Sequence, residues 1–257
     1  MKKINFSKEA KIIIAFLLVL LIAIVSSVYK IDFNKYLNNF NNKISNSSKA
    51  TKKIKVEFVN CIDGDTAKFK EKDNIYTYRF LGINTKEYTK RKEKYGYEAS
   101  NYTCKKLKRA NNIYVSYEKN STHYDNYGRH LVWVYVDSKL LQEDLLKNGL
   151  AEVKYVYTNL TYLDKLYKAE NIAKKNKLNI FKNYKQKVYS DIEYTVIFDN
   201  NGNTRDVNVK KGTVAHIINN PKEEGKIFKG WNKDGSLYDF SNPVTSNLML
   251  EAVFEDK

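Results

Sequence analysis

The sequence predicts a mainly β protein. It has a small closed barrel with helical cover, then a second strand-rich module, and an apolar N-terminal segment ahead of both. Three observations carry this expectation. Short runs rich in Val, Ile, Tyr and Phe recur between residues 55 and 136, separated by turn residues. Three stretches with helical apolar spacing lie among and after them. The excess of positive charge stops near Ser190, where a new set of strand-like runs begins.

The chain opens with a lysine-rich leader and an apolar run from Ile12 to Tyr29. That run is longer than a signal-peptide core and close to the ~20 residues that span a bilayer. Residues 1–30 are therefore expected to be an uncleaved signal anchor with its lysine-rich end inside, and a cleaved signal is the alternative. Both readings place the remainder outside the cytoplasm. Residues 31–53 are rich in Asn, Ser and Lys and read as a flexible polar linker.

Residues 54–189 contain the strand candidates KVEFV, TAKFK, IYTYRFL, NIYVSYE and LVWVYV. Helices are expected over Glu98–Ala110, Lys139–Asn148 and Tyr162–Lys177. The second has Gly149 as its stop signal. Thr161 and Asp164 suggest a capping box for the third, whose stripe of Leu163, Leu166, Tyr167 and Ala173 reads as core. Five strands with helical cover in this length suit a small closed barrel. Residues 190–257 begin with two strands around an Asn-Gly turn and form a separate small domain.

The formal net charge is +16. It divides as +8 over residues 1–53, +11 over 54–189 and −3 over 190–257. A balance this basic points to a polyanionic partner, nucleic acid or an anionic membrane surface. The clusters at Lys90–Lys94 and Lys105–Arg109 are ordinary solvated faces that also attract nucleic acid without reading its sequence. Cys61 and Cys104 match no metal or redox spacing. One disulfide is possible but the sequence does not show it, and since nothing in the pattern turns Cys104 toward Cys61 it is not the favoured reading. His123, His130 and His216 fit no ligand spacing and read as structural or solvent-facing.

The chemistry concentrates in a few short stretches. Asp63-Gly64-Asp65 follows a strand, and taken alone it is an ordinary turn. Arg79 lies inside an apolar strand, where a guanidinium needs an anionic partner. Asn84, Thr85 and Glu87 follow that strand, giving a second oxygen-rich turn of the kind a hard cation uses. Arg129 follows a Tyr-Gly turn. Two arginines, a cation site and a glutamate can together bind and cleave a phosphodiester.

Over about Ile54–Phe181 the chain resembles the staphylococcal nuclease, or thermonuclease, family. The matching stretches are IDGDT (62–66), YRFLGINTKE (78–87), YGYEAS (95–100), DNYGRHL (125–131), NGLAEVKYVY (148–157) and AKKNKLNIF (173–181). The resemblance implies a five-stranded OB-fold barrel with three helices and Ca²⁺-dependent cleavage of DNA and RNA to 3′-phosphate ends. It implies Asp65 as main calcium ligand, with the Thr85 carbonyl, and Asp63 behind the metal. It implies Arg79 and Arg129 on the scissile phosphate, Glu87 as general base or water positioner, and Tyr127, Tyr155 and Tyr157 lining the nucleotide pocket. Where the family pattern has Asp-Thr-Pro-Glu, this chain has Asn84-Thr85-Lys86-Glu87. Asn84 thus replaces the second carboxylate ligand, and one negative charge fewer predicts weaker calcium binding. Asn126 stands where the family usually has lysine.

The segment 191–256 resembles the Listeria–Bacteroides type repeat, a small β-grasp-like module of bacterial surface proteins. It rests on YTVIFDNNGN (194–203), IFKGW (227–231) and YDFSNPVTSNLMLEAVF (238–254). The reading that follows is a monomeric extracytoplasmic nuclease, held at the membrane by its N-terminal helix or secreted. A cell-wall or surface ligand would engage its C-terminal module. A non-catalytic nucleic-acid-binding barrel and an adhesion module are the alternatives. The joint presence of Arg79, Glu87 and Arg129 favours the enzyme.

Overall fold

The computed structural model describes residues 52–119, 122–185 and 191–256. The expected signal anchor and most of the linker lie outside these residues. Among the described residues no helix is long and apolar enough to cross a membrane.

Alternation of β-branched and aromatic residues with polar ones builds the barrel. Strand β1 (Ile54–Asp63) pairs antiparallel with β2 (Thr66–Glu71) and with β5 (Ile113–Tyr117). Strand β2 pairs antiparallel with β3 (Asn74–Phe80), and β5 with β6 (His130–Val136). A parallel pairing of β3 with β6 closes the circle, with Tyr78 opposite His130, Arg79 opposite Leu131 and Phe80 opposite Val132. The inward positions Ala67, Phe69, Tyr78, Phe80, Val115, Val132 and Val134 fill the interior and are fully buried. The expected five-stranded barrel is therefore present. Two short strands, β4 (Ile83–Thr85) and β8 (Ala151–Val153), pair beside it, and β7 (Lys139–Leu140) folds back antiparallel on the end of β6.

Three helices cover the barrel, as expected. Helix α1 (Gly96–Lys108) packs on β1. Helix α2 (Leu141–Lys147) buries Leu141, Leu145 and Leu146, and it stops where Gly149 N–H returns to the Leu146 carbonyl at 2.9 Å. Helix α3 (Leu163–Lys175) buries Leu163, Leu166 and Ala173. Truncating a side chain as buried as Leu145 or Leu166 costs ~2–5 kcal/mol. The expected capping box on α3 is absent. Thr161 instead sends its hydroxyl to Glu118 Oε1 at 2.6 Å, a partner 43 residues away. Buried Glu170 on α3 accepts from Val153 N at 2.8 Å, which ties β8 to the helix.

The cysteines depart from expectation. Cys61 and Cys104 form a disulfide, with Cα atoms 5.8 Å apart. Helix α1 runs past the end of β1, and that crossing is a tertiary fact that local spacing does not carry. His130 is buried and hydrogen-bonded to the Tyr117 hydroxyl, consistent with a structural role.

The C-terminal segment forms a separate five-stranded sheet from β9 (Glu193–Asn200), β10 (Asn203–Lys210), β11 (Lys226–Lys233), β12 (Ser236–Leu237) and β13 (Leu248–Asp256). Its order is β10-β9-β13-β11-β12. The first and last strands, β9 and β13, lie parallel at the centre, which is the crossed order of a β-grasp. Among the described residues no helix spans this sheet. Phe198, Phe228, Trp231, Phe240 and Leu250 form its core. The described residues of this sheet and of the barrel belong to one compact unit, and hydrogen bonds such as Val156 N to Asp239 Oδ1 join them.

The disulfide closes a separation of 43 residues. Cys104→Ser is expected to lower stability by about 2–4 kcal/mol. Guanidinium unfolding with and without reductant reads this, and a parent protein insensitive to reductant would contradict the pairing.

Candidate active site

The turn between β1 and β2 is wedged rather than exposed. A Cβ on Gly64 would lie 2.8 Å from Ala99 Cβ and 2.8 Å from Thr85 Oγ1, so only glycine fits between α1 and β4. Thr103 Oγ1 on α1 donates to the Gly64 carbonyl at 2.6 Å and fixes the turn. The flanking carboxylates are both buried, Asp63 at 8% exposure and Asp65 at 6%.

The two aspartates have different partners. Asp65 Oδ2 accepts from Thr85 N at 2.7 Å and Thr85 Oγ1 at 3.0 Å, and it lies 3.3 Å from Arg79 Nη2. Its Oδ1 accepts from Thr66 Oγ1 at 3.0 Å. Arg79 points outward from β3, opposite the barrel-filling Tyr78 and Phe80. Its other bonds go to the Phe80 carbonyl at 3.0 Å and to Asn84 Oδ1 at 3.4 Å. Asp63 accepts from Gly64 N at 2.8 Å. Burial, hydrogen bonding with Glu87 and repulsion from Asp65 and Glu87 together push its carboxyl up to about 7, against a lowering by the Gly64 amide.

Glu87 lies on the loop between β4 and α1. Its Oε1 accepts from Thr89 Oγ1 at 2.5 Å, Thr89 N at 3.0 Å and Lys90 N at 3.3 Å. The Thr89 hydroxyl is the main reason its carboxyl is held down to about 2. A carboxylate so well satisfied orients a water better than it takes the proton.

Arg129 is held by a residue that the sequence reading did not single out. Asp125 Oδ2 receives Arg129 Nε at 2.6 Å, and its Oδ1 receives the backbone N–H groups of Tyr127 at 2.9 Å and Arg129 at 3.0 Å. The available signal was an aspartate opening a turn, two residues before Tyr127 and four before Arg129. Each arginine also has a tyrosine over it. The Tyr155 ring lies 5.6 Å from the Arg79 guanidinium carbon, and the Tyr127 ring lies 5.3 Å from that of Arg129. Tyr127 and Tyr155 are exposed and able to meet a ligand. Tyr157 lies against the C-terminal sheet: its carbonyl would be 2.9 Å from a Cβ on Gly230. Burial, then Asp239 and Tyr155, push its hydroxyl up.

The structure thus brings Asp63, Asp65, Arg79, Asn84, Thr85 and Glu87 together at one edge of the barrel. Arg129 lies two residues before Leu131, which is opposite Arg79 in the β3–β6 pairing. Among the described residues no cluster of three His, Cys, Asp or Glu side chains is arranged as a ready metal cage. The donor set still fits a hard cation, because every candidate ligand is oxygen. Asp65, the Asn84 amide oxygen and the Thr85 carbonyl are the residues that could hold one.

The Asp63 shift has a definite sign. The folded protein keeps a proton on Asp63 that the unfolded chain releases near 3.8. Stability from this group is therefore lost as pH rises from about 4 to about 7 and stays lost above that. In cation-free solution, Asp63→Asn should remove this slope. The difference in unfolding free energy between variant and parent should grow across that window and level off above it. A difference independent of pH would refute the assignment.

Comparison with known proteins gives the chain its family. Residues 77–183 match the model of the staphylococcal nuclease homologue family, and residues 194–253 match that of the Listeria-Bacteroides repeat domain. The chain is 40% identical over 132 residues to the SPbeta prophage-derived endonuclease YokF of Bacillus subtilis (strain 168), a match covering 50% of this chain and 44% of that protein. It is 38% identical over 139 residues to the endonuclease YncB of the same organism, covering 52% and 65%. The chain therefore spans about half to two thirds of the length of these two relatives. The match to the thermonuclease of Staphylococcus hyicus is 32% identical over 143 residues, 54% of this chain and 80% of that protein. With most of that enzyme's length covered, the chain belongs to the staphylococcal nuclease homologue family and carries a Listeria-Bacteroides repeat domain after its barrel.

Proposed function

We propose that this protein is a calcium-dependent nuclease that works outside the cytoplasm and hydrolyses DNA and RNA phosphodiesters to 3′-phosphate ends. One observation carries the reading. Arg79 on β3 and Arg129, just ahead of the strand β6 that pairs with β3, are each oriented by an aspartate and each overlain by an exposed tyrosine. Such a pair receives the non-bridging oxygens of one phosphate, while the rings take up the adjoining nucleotide.

The residues divide the work. Arg79 and Arg129 gain strength as charge builds on the phosphoryl oxygens in the transition state. Asp65 and Asp125 hold them aimed before substrate arrives. Glu87 orients a water toward phosphorus, opposite the 5′-oxygen. The water oxygen bonds to phosphorus, the bond to the 5′-oxygen breaks, and the proton released by the water is returned to that oxygen, leaving a 3′-phosphate and a 5′-hydroxyl. Calcium bound at Asp65, Asn84 and Thr85 would supply charge neutralisation and polarise a phosphoryl oxygen. The family membership and the named endonuclease relatives support the reading. The apolar N-terminal run supports the extracytoplasmic location and the membrane attachment.

The test is digestion of single- and double-stranded DNA and of RNA by residues 54–257, titrated with calcium. Cleavage suppressed by a chelator is expected, and none at millimolar calcium would sink the enzyme reading in favour of a binding barrel. Glu87→Gln should cut turnover ~10²-fold or more while the fold persists; an unchanged rate removes Glu87 from the mechanism. Asn84→Asp should tighten calcium binding in calorimetry, and equal or weaker affinity would place Asn84 outside the metal shell.

A further inference from the structure

The loop after β8, residues 154–159, carries Tyr155, and it does not stand alone. Asp239 of the C-terminal domain reaches it with both carboxylate oxygens. Oδ2 accepts from Tyr155 N at 3.1 Å and Oδ1 accepts from Val156 N at 2.9 Å. The next residue, Phe240, donates its own N–H to the Val156 carbonyl at 2.8 Å. Both Val156 and Phe240 are fully buried. Further bonds join the barrel domain to the C-terminal domain: Lys154 Nζ to Asn242 Oδ1 at 2.9 Å, Asn159 N to Asn220 Oδ1 at 2.8 Å, and, from helix α3, the Tyr167 hydroxyl to the Phe240 carbonyl at 3.3 Å. Gly230 has φ +145 and no room for a Cβ against the Tyr157 carbonyl, so this joint is close-packed.

The conformation of the loop explains why it needs a partner. Tyr155 has φ +58, the left-handed region that disfavours a residue with a Cβ. Successive N–H groups around such a residue can converge into an anion-binding concavity, and a carboxylate suits it. Asp239 occupies that position. Its own orientation is set by Ser241, whose N and Oγ donate to Oδ1 at 3.0 and 2.7 Å. The result is a Tyr155 ring fixed near Arg79 by a residue 84 positions later in the chain.

We propose that the repeat domain is a brace for the nucleotide-facing loop, with Asp239 as the positioning residue that holds Tyr155 beside Arg79. This deepens the nuclease reading and rests on it for the link to substrate. Asp239 touches no substrate. It acts by keeping the left-handed turn closed, so that the ring is already placed when a nucleotide arrives. The repeat domain then belongs to the working enzyme, beyond any surface ligand it engages.

The experiment uses the full chain and three variants, Asp239→Ala, Asp239→Asn and Gly230→Ala. Two quantities are read: amide hydrogen exchange at residues 155 and 156, and KM and kcat for a short fluorescent single-stranded DNA. Asp239→Ala should abolish protection at these two amides and leave that of β6 unchanged. KM should rise about tenfold, the worth of one stacked base, with kcat within about threefold because Asp65 still aims Arg79. Asp239→Asn, nearly isosteric and keeping one acceptor oxygen, should fall between. Gly230→Ala, which leaves Asp239 intact but spreads the joint, should reproduce the alanine variant. Unchanged protection at residues 155 and 156, or unchanged KM despite lost protection, overturns the brace. A parent chain that does not cleave overturns the nuclease reading, and with it the substrate half of this proposal, while exchange still reports whether Asp239 holds the loop.

Discussion

The parallel pairing of β3 with β6 is the constraint on which the rest depends. It closes the barrel, and in doing so it sets Arg79 beside Leu131, two residues after Arg129. Without that pairing the two arginines belong to sheet segments 50 residues apart in sequence. The core enforces the register. Tyr78, Phe80, Val132 and Val134 must point inward together, and a one-residue slip would turn them out. The same alternation that packs the barrel therefore aims Arg79 at the carboxylate turn.

Charge pairing turns that placement into a site. A guanidinium as buried as Arg79 is costly unless it is paired, and Asp65 and Asn84 satisfy it from one side. Arg129 is less buried, and Asp125 fixes it through one side-chain and two backbone bonds. Both arginines keep donors free for a phosphate because a guanidinium has five. The carboxylates are not all balanced in this way. Asp63 has no cationic partner of its own, and its burial, with Glu87 and Asp65 beside it, favours the protonated carboxyl.

Much of the fold was legible because its signals are local. The strand candidates matched β1, β2, β3, β5 and β6, and the three helices fell within two residues of expectation at most ends. What failed was non-local. Thr161 had the local look of a cap, but its hydroxyl found Glu118, 43 residues away. Cys104 had no local reason to face Cys61, yet the crossing of α1 over β1 joins them. At the site, the arginines, Asp65 and Glu87 were readable from residue type and order. Asp125 was readable in principle from its turn position. Asp239 was not, because the amides it holds lie in another domain, more than 80 residues earlier. A composition shift near Ser190 marks a boundary in charge and does not exclude a working contact across it.

The central claim is that Arg79 and Arg129 act on one phosphate as a unit. Turnover of Arg79→Lys, Arg129→Lys and the double variant, measured on one DNA substrate at saturating calcium, tests it most directly. Lysine keeps the charge and removes the paired geometry. Groups that act together lose activity non-additively. The account predicts that the double variant is little slower than the slower single one. Losses that multiply would show two independent contacts and contradict it.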